Sequence, residues 1–194
     1  MKKLELSDVL DLVSYEKVRS EFRARIIELK RPRRIQVGDR LTFVFENRDT
    51  VLFQVQEMTR AERIVEEEEI RSELESYHEL IPQEYGLSAT LMIEITDQKN
   101  VRPELDRLVG IDEHVCLEIG GEVVQAEFDP KQFEEDRISA VQYVRFPLGR
   151  ELAERFGMAS TAVALRVDHP NYRASAPIEG ASRASLAADL LPDA

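Results

Sequence analysis

Apolar residues recur at three- and four-residue steps through Tyr15, Val18, Phe22, Ile26 and Leu29, which predicts a helix that Ser14 caps and Pro32 ends. Ser7 caps a shorter helix before it. "VGDR" is a turn signal, and "RLTFVFEN" (Arg40 to Asn47) is aromatic and β-branched enough for a strand. A second long helix is expected from about Arg48 to Tyr77, closed before Pro82 and Gly86.

Strands dominate the remainder of the chain. "LSATLMIEI" alternates, with Ala89, Leu91, Ile93 and Ile95 on one face and Thr90, Met92 and Glu94 on the other. "RPELDRLVG" reads as a short helix stopped by Gly110, and "HVCLEIGGEVVQAEF" as two strands around the tight Gly120-Gly121 turn. "ISAVQYVRF" and "TAVALRVDH" add two strands, separated by a short helix of about Gly149 to Phe156. The expected class is α+β, an antiparallel or mixed sheet of about six strands packed with two principal helices. Residues 1–173 form one domain in this reading, and the Ala/Ser-rich residues 174–194 a disordered tail. "SLAADLL" within that tail reads either as chance leucines or as a short amphipathic segment that docks on a partner.

With 194 residues, 43% hydrophobic and 33% charged, the chain can build one cored domain. Its formal charge of −12 repels phosphate backbones, so nucleic acid is not an expected partner. The single cysteine, Cys116, cannot form an internal disulfide, and "MKKLELSDVLDLV" has no apolar run for a signal peptide or membrane span; the expected address is the cytoplasm. Residues 1–40 hold 11 Lys/Arg against 7 Asp/Glu, leaving 15 against 31 for the remainder. The basic run "KRPRR" (Lys30 to Arg34) reads as an anion or acidic-partner site, or as solvated cations complementing a helix C-terminus.

One residue breaks the helical pattern. Val51, Val55, Met58 and Val65 share a side of the second helix, and Glu62 falls in the middle of it. Its helical neighbours Met58, Thr59, Val65 and Glu66 offer no cation, so a buried Glu62 requires a tertiary partner. Three readings are open: an ion pair with Arg19, Arg23 or Arg25, a helix rotated so that Glu62 lies at the surface, or a general base or metal ligand at the mouth of the sheet. "ENRDT" (Glu46 to Thr50) at the strand-to-helix junction adds Asn47, Arg48 and Asp49 to such a site, or is a turn with Asp49 as N-cap.

His114, Cys116 and Glu118 alternate on one strand face, but successive members lie ~6.5 to 7 Å apart, too far for one ion without convergence. "VDHPNYR" (Val167 to Arg173) puts Asp168 and His169 at a strand end, where His169 reads as an acid/base or as a partly buried hydrogen-bonding residue. Neither a zinc spacing nor a phosphate loop nor a nucleophile elbow occurs, and no metal or cofactor is expected.

"FENRDTVLFQVQEMTRAERI" (Phe45 to Ile64), "ATLMIE" (Ala89 to Glu94), "RLVGI" (Arg107 to Ile111), "SAVQYVRF" (Ser139 to Phe146) and "VDHPNY" (Val167 to Tyr172) resemble an uncharacterised bacterial family of about 200-residue proteins in the domain-of-unknown-function class. Genes of such proteins often sit beside rubrerythrin and a cysteine-rich iron–sulfur reductase, which implies a redox or oxidative-stress setting. The resemblance also implies a shared polar set of Arg48, Glu57, Arg60, Glu62, Arg63 and His169. Two positions depart from the family pattern: Gln142 stands where His is frequent, and Cys116 where Trp is. The leading expectation is an accessory or interaction protein for a rubrerythrin-like protein or an iron–sulfur reductase; one cysteine cannot hold a four-thiolate cluster. The rival is a small-molecule binder or enzyme with a carboxylate/Arg/His pocket built on that set. A homo-oligomer through the acidic helix is a third reading.

Overall fold

The computed structural model describes residues 2–129, 133–134 and 137–191. A short 3-10 turn precedes α1 (Leu12–Lys30), the hairpin of β1 (Arg34–Val37) and β2 (Leu41–Glu46), the helices α2 (Arg48–Glu62) and α3 (Glu67–His78), and β3 (Gly86–Ile93). After α4 (Val101–Asp106) come the hairpin β4 (Val115–Ile119) and β5 (Glu122–Gln125), three short strands, β6 (Glu127–Phe128), β7 (Phe133–Glu134) and β8 (Arg137–Ile138), and β9 (Val141–Pro147). α5 (Gly149–Gly157), β10 (Val163–His169), β11 (Tyr172–Pro177) and α6 (Gly180–Leu190) complete the described chain.

The strands form a five-stranded sheet in the order β1-β2-β3-β9-β6, a four-stranded sheet in the order β11-β10-β4-β5, and a β7-β8 ribbon. Every pairing is antiparallel, so the class is α+β as expected. Two sheets replace the single one of about six strands: β1, at four residues, and β6, at two, are too short to read from sequence, and β11 lies in the Ala/Ser-rich segment. Phe43, Phe45, Leu87, Ala89 and Leu91 of the larger sheet join Leu117, Leu165 and Val167 of the smaller one in a single apolar cluster. Burying those faces against each other is the main favourable contribution to the fold. No helix among the described residues is long and apolar enough to cross a membrane.

The other face of the five-stranded sheet is polar and partly covered. Glu46, Ser88 and Arg145 stand in one cross-strand row, and Val44, Thr90 and Tyr143 in the next. Thr42, Val44 and Glu46 on that face of β2 are as buried as Leu41, Phe43 and Phe45 on the core side.

The expectations for the second helix and for two helix caps need correction. The single helix of Arg48 to Tyr77 is two helices: Arg63 is left-handed (φ 57°), and the Ile64 N–H closes the end of α2 on Thr59 O at 2.9 Å. Consequently Glu62 is exposed, Val65 is 67% exposed, and the buried side of α2 runs through Val51, Val55, Gln56 and Thr59. No partner has to answer Glu62. Asn47, bonded to Thr50, caps α2 in place of Asp49, and Asp11 caps α1 in place of Ser14.

The segment expected to be a disordered tail is instead structural through Leu190. β11 pairs with β10 from His169↔Tyr172 to Ala164↔Pro177, and α6 buries Leu186 and Leu190 completely. Small residues leave α6 narrow enough to lie close to its neighbours, and its two leucines, four positions apart, form the seam. Residues 192–194 of the expected tail lie outside the described residues.

The "KRPRR" run is largely committed internally. Lys30 faces Glu46 (3.3 Å), Arg31 pairs with Glu28 (2.9 Å) and Arg34 with Glu94 (2.6 Å). Arg33 is 1% exposed and donates to Phe45 O (2.8 Å), Glu46 O (3.0 Å), Ser185 Oγ (3.1 Å) and the Asp189 carboxylate. A guanidinium, with its five donors, can tie the β2–α2 junction to α6 in this way.

Candidate functional site: a cleft at one end of the five-stranded sheet

The expected polar set is dispersed. Arg48 pairs with Asp8 (2.6 Å), Arg60 with Glu16 (2.5 Å), and Glu57 accepts from Arg19 Nε (2.8 Å) and Nη2 (2.7 Å) and from the Tyr15 hydroxyl (2.7 Å). The Arg19 hydrogen bonds hold the Glu57 carboxyl below its ordinary range, while burial and the Glu57 bond raise the Tyr15 phenol. These contacts fasten α1 and the preceding turn to α2. Glu62 and Arg63 are exposed at the end of α2. His169, on the four-stranded sheet, is 4% exposed: its Nε2 contacts Val109 O (3.0 Å) and its Nδ1 accepts from the Asn171 N–H (3.2 Å). With Nδ1 accepting from Asn171, Nε2 is the ring nitrogen placed to donate to Val109 O.

The alternating trio on β4 also disperses. Cys116 is buried next to the Arg166 guanidinium, Glu118 pairs with Arg166 (2.9 Å), and the His114 ring stacks edge-on against His169 at 5.2 Å. Among the described residues no group of three or more His, Cys, Asp or Glu is placed to hold a metal ion.

The concave feature lies elsewhere, where α3 hands over to β3 and β9 to α5. A cleft of about 1100 Å³ is walled by the Ile81–Tyr85 loop, by Arg145 of β9, by Arg150 and Glu154 of α5, and by Lys2, Lys3 and Leu191. His78 and Glu79 at the end of α3 complete it. Next to it, a pocket of about 160 Å³ is lined by Gly86, Leu87, Ser88, Glu127, Phe146 and Pro147, and shares Pro82, Gln83 and Arg145 with the cleft.

The loop is rigidly made. Pro82 ends the helical region, Gly86 N–H donates to Gln83 O (3.1 Å), and Leu148 N–H donates to Tyr85 O (3.2 Å), which locks the loop to the end of β9. Tyr85 itself is left-handed at φ 55°. An aromatic residue in that region is strained by ~1 to 3 kcal/mol, and such strain concentrates at ligand sites. The hydrogen bond to Glu84, with burial second, raises the Tyr85 phenol above its usual value.

Charge in the cleft runs against the chain as a whole. Lys2, Lys3, Arg145 and Arg150 face Glu79, Glu84 and Glu154, an excess of fixed cations in a molecule of net charge −12. Arg150 is paired with Glu154 (2.9 Å), but Arg145 reaches Glu79 only at 3.9 Å, beyond hydrogen-bond range. Arg145 therefore retains donor capacity for an anion.

Beneath the neighbouring helices the same sheet face carries a buried carboxylate. Glu46 is 2% exposed; Oε1 accepts from Thr90 Oγ1 (3.0 Å) and from Lys30 Nζ (3.5 Å), and Oε2 stands 3.3 Å from the same Nζ without a hydrogen bond. Burial, then Tyr77 and Glu46, raise the Tyr143 phenol; burial raises that of Tyr77 despite a hydrogen bond to Gln54. In the sequence Glu46 belongs both to the strand "RLTFVFEN" and to the "ENRDT" junction, and Thr90 lies on the face of "LSATLMIEI" opposite Ala89 and Leu91. The signal that pointed here was the polar alternate in "LTFVFE" followed by the polar alternate in "LSATLM", two facing strands with the same habit.

A protein of unknown function from Burkholderia pseudomallei K96243, solved by crystallography, has the same fold, with TM-score 0.91 and 35% identity over 97% of this chain and 100% of that one. No curated protein matches. Residues 3–190, nearly the whole chain and including the two C-terminal elements, match "Protein of unknown function (DUF3501)", and the chain belongs to that family.

Proposed function

We propose that this protein binds a small anionic molecule in the cleft between the Ile81–Tyr85 loop, Arg145 and α5. The observation that carries the reading is Arg145, a guanidinium at the wall of a cleft of about 1100 Å³ whose carboxylate partner stands 3.9 Å away. The size is at the upper end of ordinary ligand sites. Binding would replace the long Glu79 contact with charge-assisted hydrogen bonds, and Lys2, Lys3 and Arg150 would add attraction at the mouth. Calorimetric titration with acetate, phosphate and citrate tests it, with Arg145→Gln as control. Saturable heat from at least one anion that disappears in the variant supports the reading; no heat from any of them overturns it.

A second reading concerns partners, and a different surface favours it. Leu12, Glu16, Arg60, Ala61, Arg63 and Val65 line a groove of about 480 Å³ between α1 and the end of α2. Val65 is 67% exposed there, and Val13, next to Leu12 in the chain, is exposed to the same degree. An apolar surface rimmed by charge is the anatomy of an interface. In this reading the protein is an accessory to redox or oxidative-stress partners such as a rubrerythrin-like protein or an iron–sulfur reductase, docked at the tip of the α1–α2 pair. Co-purification of either partner with the native chain, lost on Val13→Asp with Val65→Asp, supports it. Failure of both to co-purify with the native chain removes it.

A further inference from the structure

We infer that the ligand is an acidic amino acid, its α-carboxylate on Arg145, its α-ammonium on Glu127 and its side-chain acid in the wider, lysine-lined cleft. The inference rests on the anion-binding reading above and adds the identity of the ligand's other groups.

Glu46, Ser88, Arg145 and Glu127 form one row across β2, β3, β9 and β6, on the polar face of the five-stranded sheet. The small pocket beside the cleft opens on Ser88, Arg145 and Glu127 of that row and on Gln83 of the loop. Leu87 and Phe146 turn their side chains to the core between the sheets and bring main chain to the pocket. The recess of about 160 Å³ therefore offers a guanidinium, a carboxylate, a carboxamide and a hydroxyl.

Arg145 and Glu127 are cross-strand neighbours, and such pairs carry their Cβ atoms ~4.5 to 5.5 Å apart, so the two side chains leave the sheet side by side. Among the described residues no ion pair joins them; the carboxylate that Arg145 reaches is Glu79, at 3.9 Å. In an α-amino acid the ammonium nitrogen and the carboxylate carbon are two bonds, ~2.5 Å, apart, a spacing that lets one ligand serve both side chains. An anion with no cation of its own meets Arg145 between Glu127 and Glu79, whose repulsion offsets part of the attraction. An ammonium on the same ligand turns that repulsion into a second charge-assisted hydrogen bond.

The second acid group follows from the other wall of the cleft. Lys2 and Lys3 line it, and the Lys2 contact with Glu5 (3.3 Å) joins two exposed side chains, so an incoming carboxylate displaces it at little cost. A neutral zwitterion leaves these cations unused. The recess is also preformed, which lowers the cost of binding: the Ser88 hydroxyl donates to Leu80 O at 2.5 Å and Gly86 N–H to Gln83 O at 3.1 Å.

The test is calorimetry on the full chain with glutamate and aspartate, with glutarate and succinate, which keep both acids but lack the ammonium, and with alanine. The better-bound acidic amino acid is expected to bind about tenfold or more tightly than its desamino analogue, the discrimination that a hydrogen bond to a charged group supplies. Alanine, with one acid, is expected to bind about tenfold more weakly than that amino acid. Glu127→Gln, an exposed substitution, is expected to erase the preference over the desamino analogue with the urea midpoint unchanged. Arg145→Gln is expected to weaken the amino acids and the plain diacids alike. Equal binding of the amino acids and their analogues overturns the inference and leaves the anion-binding reading standing, as does a preference that survives in Glu127→Gln. Alanine binding as tightly as glutamate and aspartate overturns it as well. Silence from both acidic amino acids while phosphate or citrate binds removes the inference alone, and silence from every compound removes both readings.

Discussion

Arg33 and Asp189, 156 residues apart in the chain, form a buried ion pair in which the guanidinium is 1% and the carboxylate 10% exposed. Arg33 also holds two main-chain carbonyls at the end of β2, so α6 is anchored to the strand that launches α2. Burial raises the Asp189 carboxyl above its ordinary value even with Arg33 opposing it. Asp189→Ala leaves a guanidinium buried with part of its donor set unmet and is expected to cost about 3 kcal/mol, the low end for breaking a buried pair because four other acceptors remain. Asp189→Asn keeps an acceptor and is expected to cost less than half as much. Urea unfolding at neutral pH measures both, and equal midpoints for the native and Ala forms would show that α6 is not anchored there.

Glu57 supplies a pH dependence of definite sign. Its carboxyl is held below the ordinary 4.5, chiefly by the Arg19 hydrogen bonds, so the unfolded chain binds this proton more readily than the folded one. The stabilisation is complete above the unfolded value and is lost as pH falls through the lowered folded one. Glu57→Gln is therefore expected to lower the urea midpoint at neutral pH and to differ progressively less from the native protein in acid below 4.5. A gap between the two that widens as pH falls would contradict this.

At the end of α2, Arg63 is strained for a reason that a glycine would remove. Its left-handed φ of 57° places its own N–H on Arg60 O (3.3 Å) and the next N–H on Thr59 O (2.9 Å), the two bonds of a helix stop usually built on glycine. Arg63→Gly is expected to raise stability by about 1 kcal/mol, since the side chain is exposed and the backbone penalty disappears. Arg63→Ala keeps the left-handed penalty and is expected to gain nothing. Thermal denaturation of the two variants separates the outcomes.

That stop also explains what was legible in the sequence. The strand alternation in "LTFVFE" and "LSATLM", the Gly120-Gly121 hairpin and the first helix could be read because each signal is local. Arg63 carries no local mark of a helix end; the wheel that put Glu62 among valines continued past a point where the real helix had stopped. The C-terminal elements hid differently. "ASAPIEGASRASLAADLL" looks dispensable because its small residues bury little area each, but Leu186 and Leu190 are 0% exposed and Arg33 holds Asp189 between them and the main sheet. The cleft was invisible for a third reason. Lys2, the Ile81–Tyr85 loop and Arg145 are distant in sequence, and only the antiparallel joining of β3 and β9 beside α5 brings them together. A strained Tyr85 cannot be read from sequence at all.

Lys30 and Glu46 give the sharpest test of the buried polar face. Lys30 Nζ stands 3.3 Å from Glu46 Oε2, which has no hydrogen bond, and donates to Oε1 at 3.5 Å beside Thr90 Oγ1 at 3.0 Å. Removing the cation leaves a carboxylate 2% exposed with one hydroxyl donor, so Lys30→Met is expected to cost about 3 kcal/mol. Removing the charge instead, Glu46→Gln, leaves an amide beside a lysine that is 31% exposed and can turn to water; the cost is expected to be about 1 kcal/mol. Once Glu46 is neutral, Lys30→Met should cost almost nothing further, because no buried charge remains to be answered. The double-mutant cycle in urea then gives a coupling of about 2 kcal/mol or more, well above the few tenths seen for independent sites. Additive costs would mean that water or a rotated helix end already answers the carboxylate, and that the ion pair contributes little to holding α1 on the sheet.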